Sequence, residues 1–358
     1  MTETVSANPM VGSLIFALGG LAGAVFAVPF RKVKGWAYES YWFVYAVFGL
    51  ILFPAALAFA TVPNLCGVIA KTPTATLLGC AGYGALWGIG GLTWGLMIRY
   101  LGVGLGLAIG CGLCSATGTL IPPILQGKGG DLVKDTAALI TLGGVVLSLL
   151  GIVFVGLAGK CKEDELPEEE KKKAVAEFNF KKGLVVACIS GVFSACMNFG
   201  LQNGWWTDVS GAKHTMDELA KAANAGDWWT GMPVLVVVLW GGFVVNAAWC
   251  LWQNAKNKSG GDYLKKGVPV VANLFFAGLA GVIWACQFAF LKIGEPLCGD
   301  MAYVGFAILM GASVLFSSLL GVFLGEWRGT GGKTRGFLVT GLLILAASIV
   351  VTAIANKM

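Results

Sequence analysis

The chain has 358 residues, of which 57% are hydrophobic and 12% charged, with a formal net charge of +6. A soluble domain carries about a quarter charged residues, so this composition excludes an ordinary globular protein and points to a polytopic membrane protein. Ten apolar stretches, each of about 20 residues or more and so able to cross a bilayer core, contain no charged residue or His apart from Glu39 at one boundary.

In chain order, the first stretch is 9–30. The residues before it, MTETVSAN, carry no basic residue, so it reads as a first spanning helix and not as a signal peptide. The second, 39–61, opens at Glu39 within WAYESYW. The third, 75–98, contains most of GALWGIGGLTWGLMIRYLG (84–102). Gly84 and Gly88 lie four apart and offer a small face for close helix packing. Trp87 and Trp94 lie seven apart and share another face, suited to a cavity wall. Arg99 marks the end of that helix. Stretches at 101–125 and 136–158 complete a first half. The pair Cys111 and Cys114 lies in a Gly-rich apolar helix with no second ligand pair nearby, which reads as small-residue packing and not as a metal or redox site.

A charged connection, KCKEDELPEEEKKKAVAEFNFKK (160–182), separates residues 1–159 from 183–358. The second half holds apolar stretches at 183–203, 231–252, 269–291, 302–325 and 336–355. Its segment 204–230 is bracketed by Trp205 and Trp206 and by Trp228 and Trp229, as aromatic belts are. Between them, Thr215 and Glu218 have the order of a capping box, with Gly226 as terminator, so a short surface helix is predicted. His214, the only His, reads as an incidental loop residue.

Eighteen of the 25 Lys and Arg fall in the connections after the odd-numbered spans. That bias places those connections in the cytoplasm and both termini outside. The basic excess suits an anionic leaflet and requires no nucleic-acid partner. The fold class is therefore an all-α membrane protein of ten helices. Five spans per half is an odd number, so the second half enters from the opposite side, as in the inverted repeats of secondary transporters. A short internal match supports this: Gly20 with Gly191, Gly23 with Ser194 and Ala24 with Ala195.

No Walker motif and no GxGxxG between strand and helix is present, and no Ser/His/Asp set lies within membrane reach. The reading is thus a non-enzyme without cofactor or metal. The spans instead carry uncharged polar and aromatic groups, among them Tyr41, Tyr45, Thr93, Asn198, Gln202, Asn246, Asn273, Trp284 and Gln287. Such groups are costly in hydrocarbon unless paired and should face the interior. They suit a neutral polyhydroxylated solute: amides and hydroxyls pair with sugar hydroxyls, and Trp stacks on a ring face. The competing use is interhelical hydrogen bonding, worth about 0.6 kcal/mol per bond. Asn198 and Gln287, in two spans of the second half, are the leading substrate contacts, with Thr93, Trp87, Trp94 and Trp284 beside them.

VPFRKVKGWAYESYW (28–42), GALWGIGGLTWGLMIRYLG (84–102), GTLIPPIL (118–125), EFNFKKGLVVACISGVFSACMNFG (177–200) and LGEW (324–327) resemble the L-rhamnose–proton symporter family of the drug/metabolite transporter superfamily. The resemblance runs over nearly the whole chain and is least between Gly200 and Thr230. It implies a five-plus-five inverted fold in the bacterial inner membrane, importing L-rhamnose or a related deoxy-sugar with a proton. A coupled carrier needs a titrating group, and here the candidates lie at span ends. Glu39 and Glu326 are placed near the cytoplasmic side, Glu295 and Asp300 near the outer side. Ion pairing of Glu39 with Arg31 or Lys34, and of Glu326 with Arg328, competes with that role. Arg99 and Lys292 read as anchors or as closures of the cavity at opposite faces. The rival readings are a drug or metabolite exporter of the same superfamily and a membrane sugar receptor that transports nothing.

Overall fold

A chain in hydrocarbon must satisfy its own backbone N–H and C=O groups, and helices do so within one segment. The computed structural model describes residues 8–101, 103–165, 180–325 and 327–355. Glu326 and residues 166–179 of the charged connection lie outside the described residues.

Helix α1, Pro9–Val25, starts at Asn8, whose side chain accepts from the Val11 amide, with Pro at the first position, where its missing N–H costs nothing. A 3₁₀ turn, Val28–Lys32, follows. Helix α2 covers Tyr38–Thr61 and widens to π geometry over Val47–Leu52. A short helix α3, Leu65–Lys71, leads into α4, Thr74–Leu101, and α5, Val103–Leu125. Helix α6, Thr136–Asp164, is capped by Asp135, which accepts from the Ala138 amide at 2.8 Å. Helix α7, Phe180–Leu201, precedes a hairpin of β1, Trp205–Thr207, and β2, Lys213–Thr215, paired antiparallel with Trp206 opposite His214. Helix α8, Met216–Ala222, carries both bonds of the Thr215–Glu218 capping box. Helices α9, Met232–Asn257, α10, Val270–Cys298, α11, Gly305–Phe323, and α12, Gly332–Ala355, complete the chain.

Among the described residues nine helices are long and apolar enough to cross a membrane: α1, α2, α4, α6, α7 and α9 to α12. The apolar part of α5, Ile109–Leu125, is shorter. Several elements differ from the sequence expectation: α3 was not predicted, and α6 and α9 run past their expected ends at 158 and 252. The hairpin was not foreseen, because two three-residue strands leave no alternation long enough to read. Helix α10 runs past its expected end at 291 to Cys298. It carries Lys292 and Glu295 with it, and their pairing neutralises both charges inside the helix.

The helices associate through small residues. Gly84 of α4 sits against the Val238 carbonyl of α9, and Gly241 of α9 against the Ala81 carbonyl of α4. Gly281 of α10 faces the Tyr45 carbonyl of α2 in the same way. Helix α4 packs along α7 and α9, α1 along α10 and α11, α5 on α6 and α7, and α6 along α12. Leu78, Val244, Phe275 and Leu343 point away from this core, as lipid-facing side chains do.

Candidate functional site

The core encloses a cavity of about 390 Å³, within the size range of small-ligand sites. Six helices supply most of its wall. Gly23 and Phe26 come from α1, Trp42 and Tyr45 from α2, and Trp87 and Trp94 from α4. Trp284, Gln287 and Phe288 come from α10, Asn246 from α9, and Phe306, Met310 and Ser313 from α11. Cys114 and Ser194 add smaller patches from α5 and α7. No charged side chain is among these lining residues.

Aromatic rings make the wall continuous. Trp87 stacks on Trp284 with ring centroids 4.9 Å apart and an interplanar angle of 28°. Trp284 meets Tyr45 edge-on at 6.0 Å, and Tyr45 lies 4.5 Å from Trp42. Trp87 can lie this close to α9 because Gly242 leaves its ring room. Polar atoms interrupt the wall at set points. The Trp42 indole donates to Asn246 Oδ1 at 3.0 Å, and Asn246 Nδ2 donates to the Gly242 carbonyl at 3.0 Å. The Trp94 indole donates to Ser194 Oγ at 2.7 Å. Ser313 Oγ donates to the Leu309 carbonyl one turn earlier, which leaves its lone pairs available. Gln287 differs from all of these: it lines the cavity and its carboxamide has no hydrogen-bond partner among the described residues. Gly23 opposite is the reason it fits, since a Cβ there would lie 2.8 Å from Gln287 Oε1 and 2.9 Å from Ser313 Oγ.

Of the sequence-predicted sugar contacts, Trp87, Trp94, Trp284 and Gln287 converge on this cavity. Asn198 and Thr93 are placed elsewhere. Asn198 is buried and donates from Nδ2 to the Gly118 carbonyl at 2.7 Å, tying α7 to α5. The Thr93 hydroxyl donates to the Gly90 carbonyl and accepts from Ser190 Oγ at 2.7 Å, tying α4 to α7. Trp42, Asn246, Ser194 and Ser313 line the cavity without having been singled out as contacts. Three of them carried a signal: Trp42 lies three residues before Tyr45, Asn246 is an isolated amide in an apolar span, and Ser194 aligns with Gly23.

Polar networks lie at both ends of the bundle. Away from the hairpin, Glu39 is buried and its Oε1 accepts from Asn257 Nδ2 at 2.9 Å and from Ser259 Oγ at 2.6 Å. Beside it, Ser40 Oγ lies 2.9 Å from Asp262 Oδ2, and the same oxygen accepts from the Ala37 amide at 2.7 Å. Burial pushes the Tyr263 hydroxyl up, so it stays protonated and donates to the Ser40 carbonyl at 3.3 Å. These contacts join the start of α2 to the end of α9. At the hairpin end, Lys292 pairs with Glu295 and lies 3.9 Å from Asp217 of α8. Gln202, directly after α7, donates from Nε2 to Glu295 Oε1 at 2.8 Å. These groups border a second, open cleft of about 240 Å³ that Lys128 and Lys213 also line. His214 stacks on Trp206 at 5.7 Å and contacts Asp208, away from both cavity and ion pair. Among the described residues no group of His, Cys, Asp and Glu is arranged to hold a metal ion.

The family model described as L-rhamnose-proton symport protein matches residues 5–356. Relatives named L-rhamnose-proton symporter are similar over almost their full length. The one from Pectobacterium atrosepticum is 33% identical over 350 residues, 96% of this chain and 98% of its own. That from Escherichia coli is 32% identical over 345 residues, covering 95% and 96%. That from Cronobacter sakazakii is 32% identical over 353 residues, covering 97% and 98%.

Proposed function

The chain belongs to the L-rhamnose-proton symport family, and from that membership we propose that it imports L-rhamnose, or a closely related deoxy-sugar, together with a proton across the bacterial inner membrane. The family is one of transporters and not of enzymes. The observation that carries the sugar reading is the cavity: a Trp-walled space without a charged lining residue, holding in Gln287 a carboxamide with no partner among the described residues. A sugar hydroxyl satisfies that amide, and Asn246, Ser194 and Ser313 offer further polar atoms. The methyl group and apolar ring face of a deoxy-sugar suit the Trp87–Trp284 stack.

The carrier is two inverted five-helix repeats, residues 1–159 and 183–358, joined by 160–182, with the hairpin on the outer side and both termini outside. The Lys and Arg bias supports this orientation. The packing supports the repeat: α1 lies on α10 and α11 as α7 lies on α4 and α5, α2 faces α9, and α6 faces α12. Each pairing maps onto its counterpart when the halves are exchanged. Alternating access then rocks one set of helices on the other about the cavity.

Purified protein in vesicles tests the reading. L-rhamnose uptake should rise with an inward proton gradient, and L-rhamnose should raise the melting temperature where a hydrophobic cation does not. A cation that stabilises the protein while no sugar does would turn the assignment to an exporter. Sugar binding without accumulation would turn it to a receptor.

A further inference from the structure

A symporter needs a group that takes up and releases the transported proton. Among the described residues two carboxylates of the spanning helices lie inside the bundle, Glu39, 5% exposed, and Glu295, its side chain 13% exposed. Their surroundings differ. Glu39 is held by an amide and a hydroxyl, neutral donors that need no change of charge to stay in place. Glu295 is held by the ammonium of Lys292, itself 4% exposed, and by the Gln202 amide. Its protonation would therefore break an ion pair and loosen a bond between helices at once.

That bond spans a division in the bundle. Helix α7, which Gln202 directly follows, packs on α4 and α5, whereas α10, which carries Glu295, packs on α1 and α2. On the α7 side the chain of bonds continues, because Gln126 at the end of α5 donates to the Gln202 carbonyl at 3.1 Å. The open cleft at the hairpin end reaches Glu295 and Lys292 directly, so water there has access to the carboxylate.

We propose that Glu295 is the residue that takes up the transported proton, and that its protonation opens the hairpin end by releasing Lys292 and Gln202. The assignment rests on the symport reading above. The proton adds to a Glu295 carboxylate oxygen from water in the cleft and leaves a neutral acid. When Lys292 re-pairs and the hairpin end closes, it departs from the same oxygen to water admitted by the opening of the opposite end. Lys292 stays charged throughout, with Asp217 on α8 as its remaining counter-charge at 3.9 Å. The other charged groups bordering the cleft are Lys128 after α5 and Lys213 on β2, both cations that favour the deprotonated acid once it re-forms. Cys298 lies one turn further along α10, and Asp300 follows along the chain.

The test uses the full chain in vesicles with a trapped pH indicator. Wild type should acidify the interior when L-rhamnose is added outside, and should accumulate the sugar under an inward proton gradient. Glu295→Gln fixes the neutral state with the hairpin end open: it should still bind L-rhamnose from that side, yet lose both the proton signal and accumulation. Glu295→Asp restores a titrating group and should regain both, with its pH profile displaced. Accumulation with a proton signal in Glu295→Gln overturns the assignment. Should that variant fail to fold, as judged by loss of rhamnose-dependent thermal stabilisation, a Glu295→Asp profile identical to wild type overturns it equally. Wild type that exchanges rhamnose without moving protons removes the symport reading itself, a result distinct from either of these.

Discussion

A carboxamide that lines a cavity without a partner among the described residues is free to bond a ligand that arrives there. That separates Gln287 from Asn198, whose Nδ2 is committed to the Gly118 carbonyl, although the two amides look alike in the sequence. Gln287→Leu should weaken L-rhamnose binding by about 1–2 kcal/mol, roughly tenfold in Kd, while leaving the melting temperature of the empty protein almost unmoved; calorimetry on purified protein reads both. Asn198→Leu should do the reverse, because its Nδ2 serves the Gly118 carbonyl. There the melting temperature falls and affinity is kept. Gly23→Ala should resemble Gln287→Leu, since the added methyl meets Gln287 Oε1 and Ser313 Oγ. The position of the Trp residues was legible because spacing along a single helix defines a face: Trp87 and Trp94, seven apart, both line the cavity. The role of Asn198 was not legible. Its partner lies on α5, 80 residues earlier, and spacing within one helix says nothing of which helix is opposite.

At the scale of elements, hydropathy located nearly every long helix, because the cost of an unpaired backbone in lipid leaves little choice of structure. Helix ends were less legible wherever charges pair internally. Lys292 and Glu295 look like a terminus and instead lie one turn apart within α10. Glycine carries much of the packing between elements. In α4 and α9, Gly84 and Gly241 each abut a backbone carbonyl of the other helix, and a carbonyl cannot move aside as a side chain can. Gly241→Leu should therefore reduce the yield of folded protein and lower the melting temperature, whereas Gly143→Leu, with open space around it, should change neither. The hairpin has its own anchor. Asp208 accepts from Ser210 Oγ and from the Ser210 and Ala212 amides, and contacts His214. The Ser210 hydroxyl bond, followed by the others, holds its carboxyl well below the usual range. For a depressed acid the stabilising effect is present above the unfolded value and is lost as pH falls through the folded one. Hydrogen exchange at Ala212 should thus be equally protected from about pH 8 to about pH 5 after correction for intrinsic rates, and lose protection only below the ordinary carboxylate range of about 4.

For the whole molecule, the two polar networks hold the same division closed at opposite ends. Glu295 with Gln202 joins α10 to α7 at the hairpin end, and Ser40 with Asp262 joins α2 to the segment after α9 at the other. Helices α2 and α10 pack on each other, and α9 and α7 both pack on α4, so each network ties the same two groups of helices. A carrier that opens one end at a time must break one network while the other stays intact, and weakening either should bias the population toward opening at that end. Cys114 reports on this, because it lines the cavity and is 3% exposed. In a variant retaining Cys114 as its single cysteine, Ser40→Ala combined with Asp262→Asn should speed labelling by a membrane-impermeant thiol reagent from the side opposite the hairpin. Gln202→Leu should speed it from the hairpin side. L-rhamnose should slow both by occupying the cavity. Labelling that rises equally from both sides in either variant would mean that the networks only stabilise the bundle and do not select which end opens.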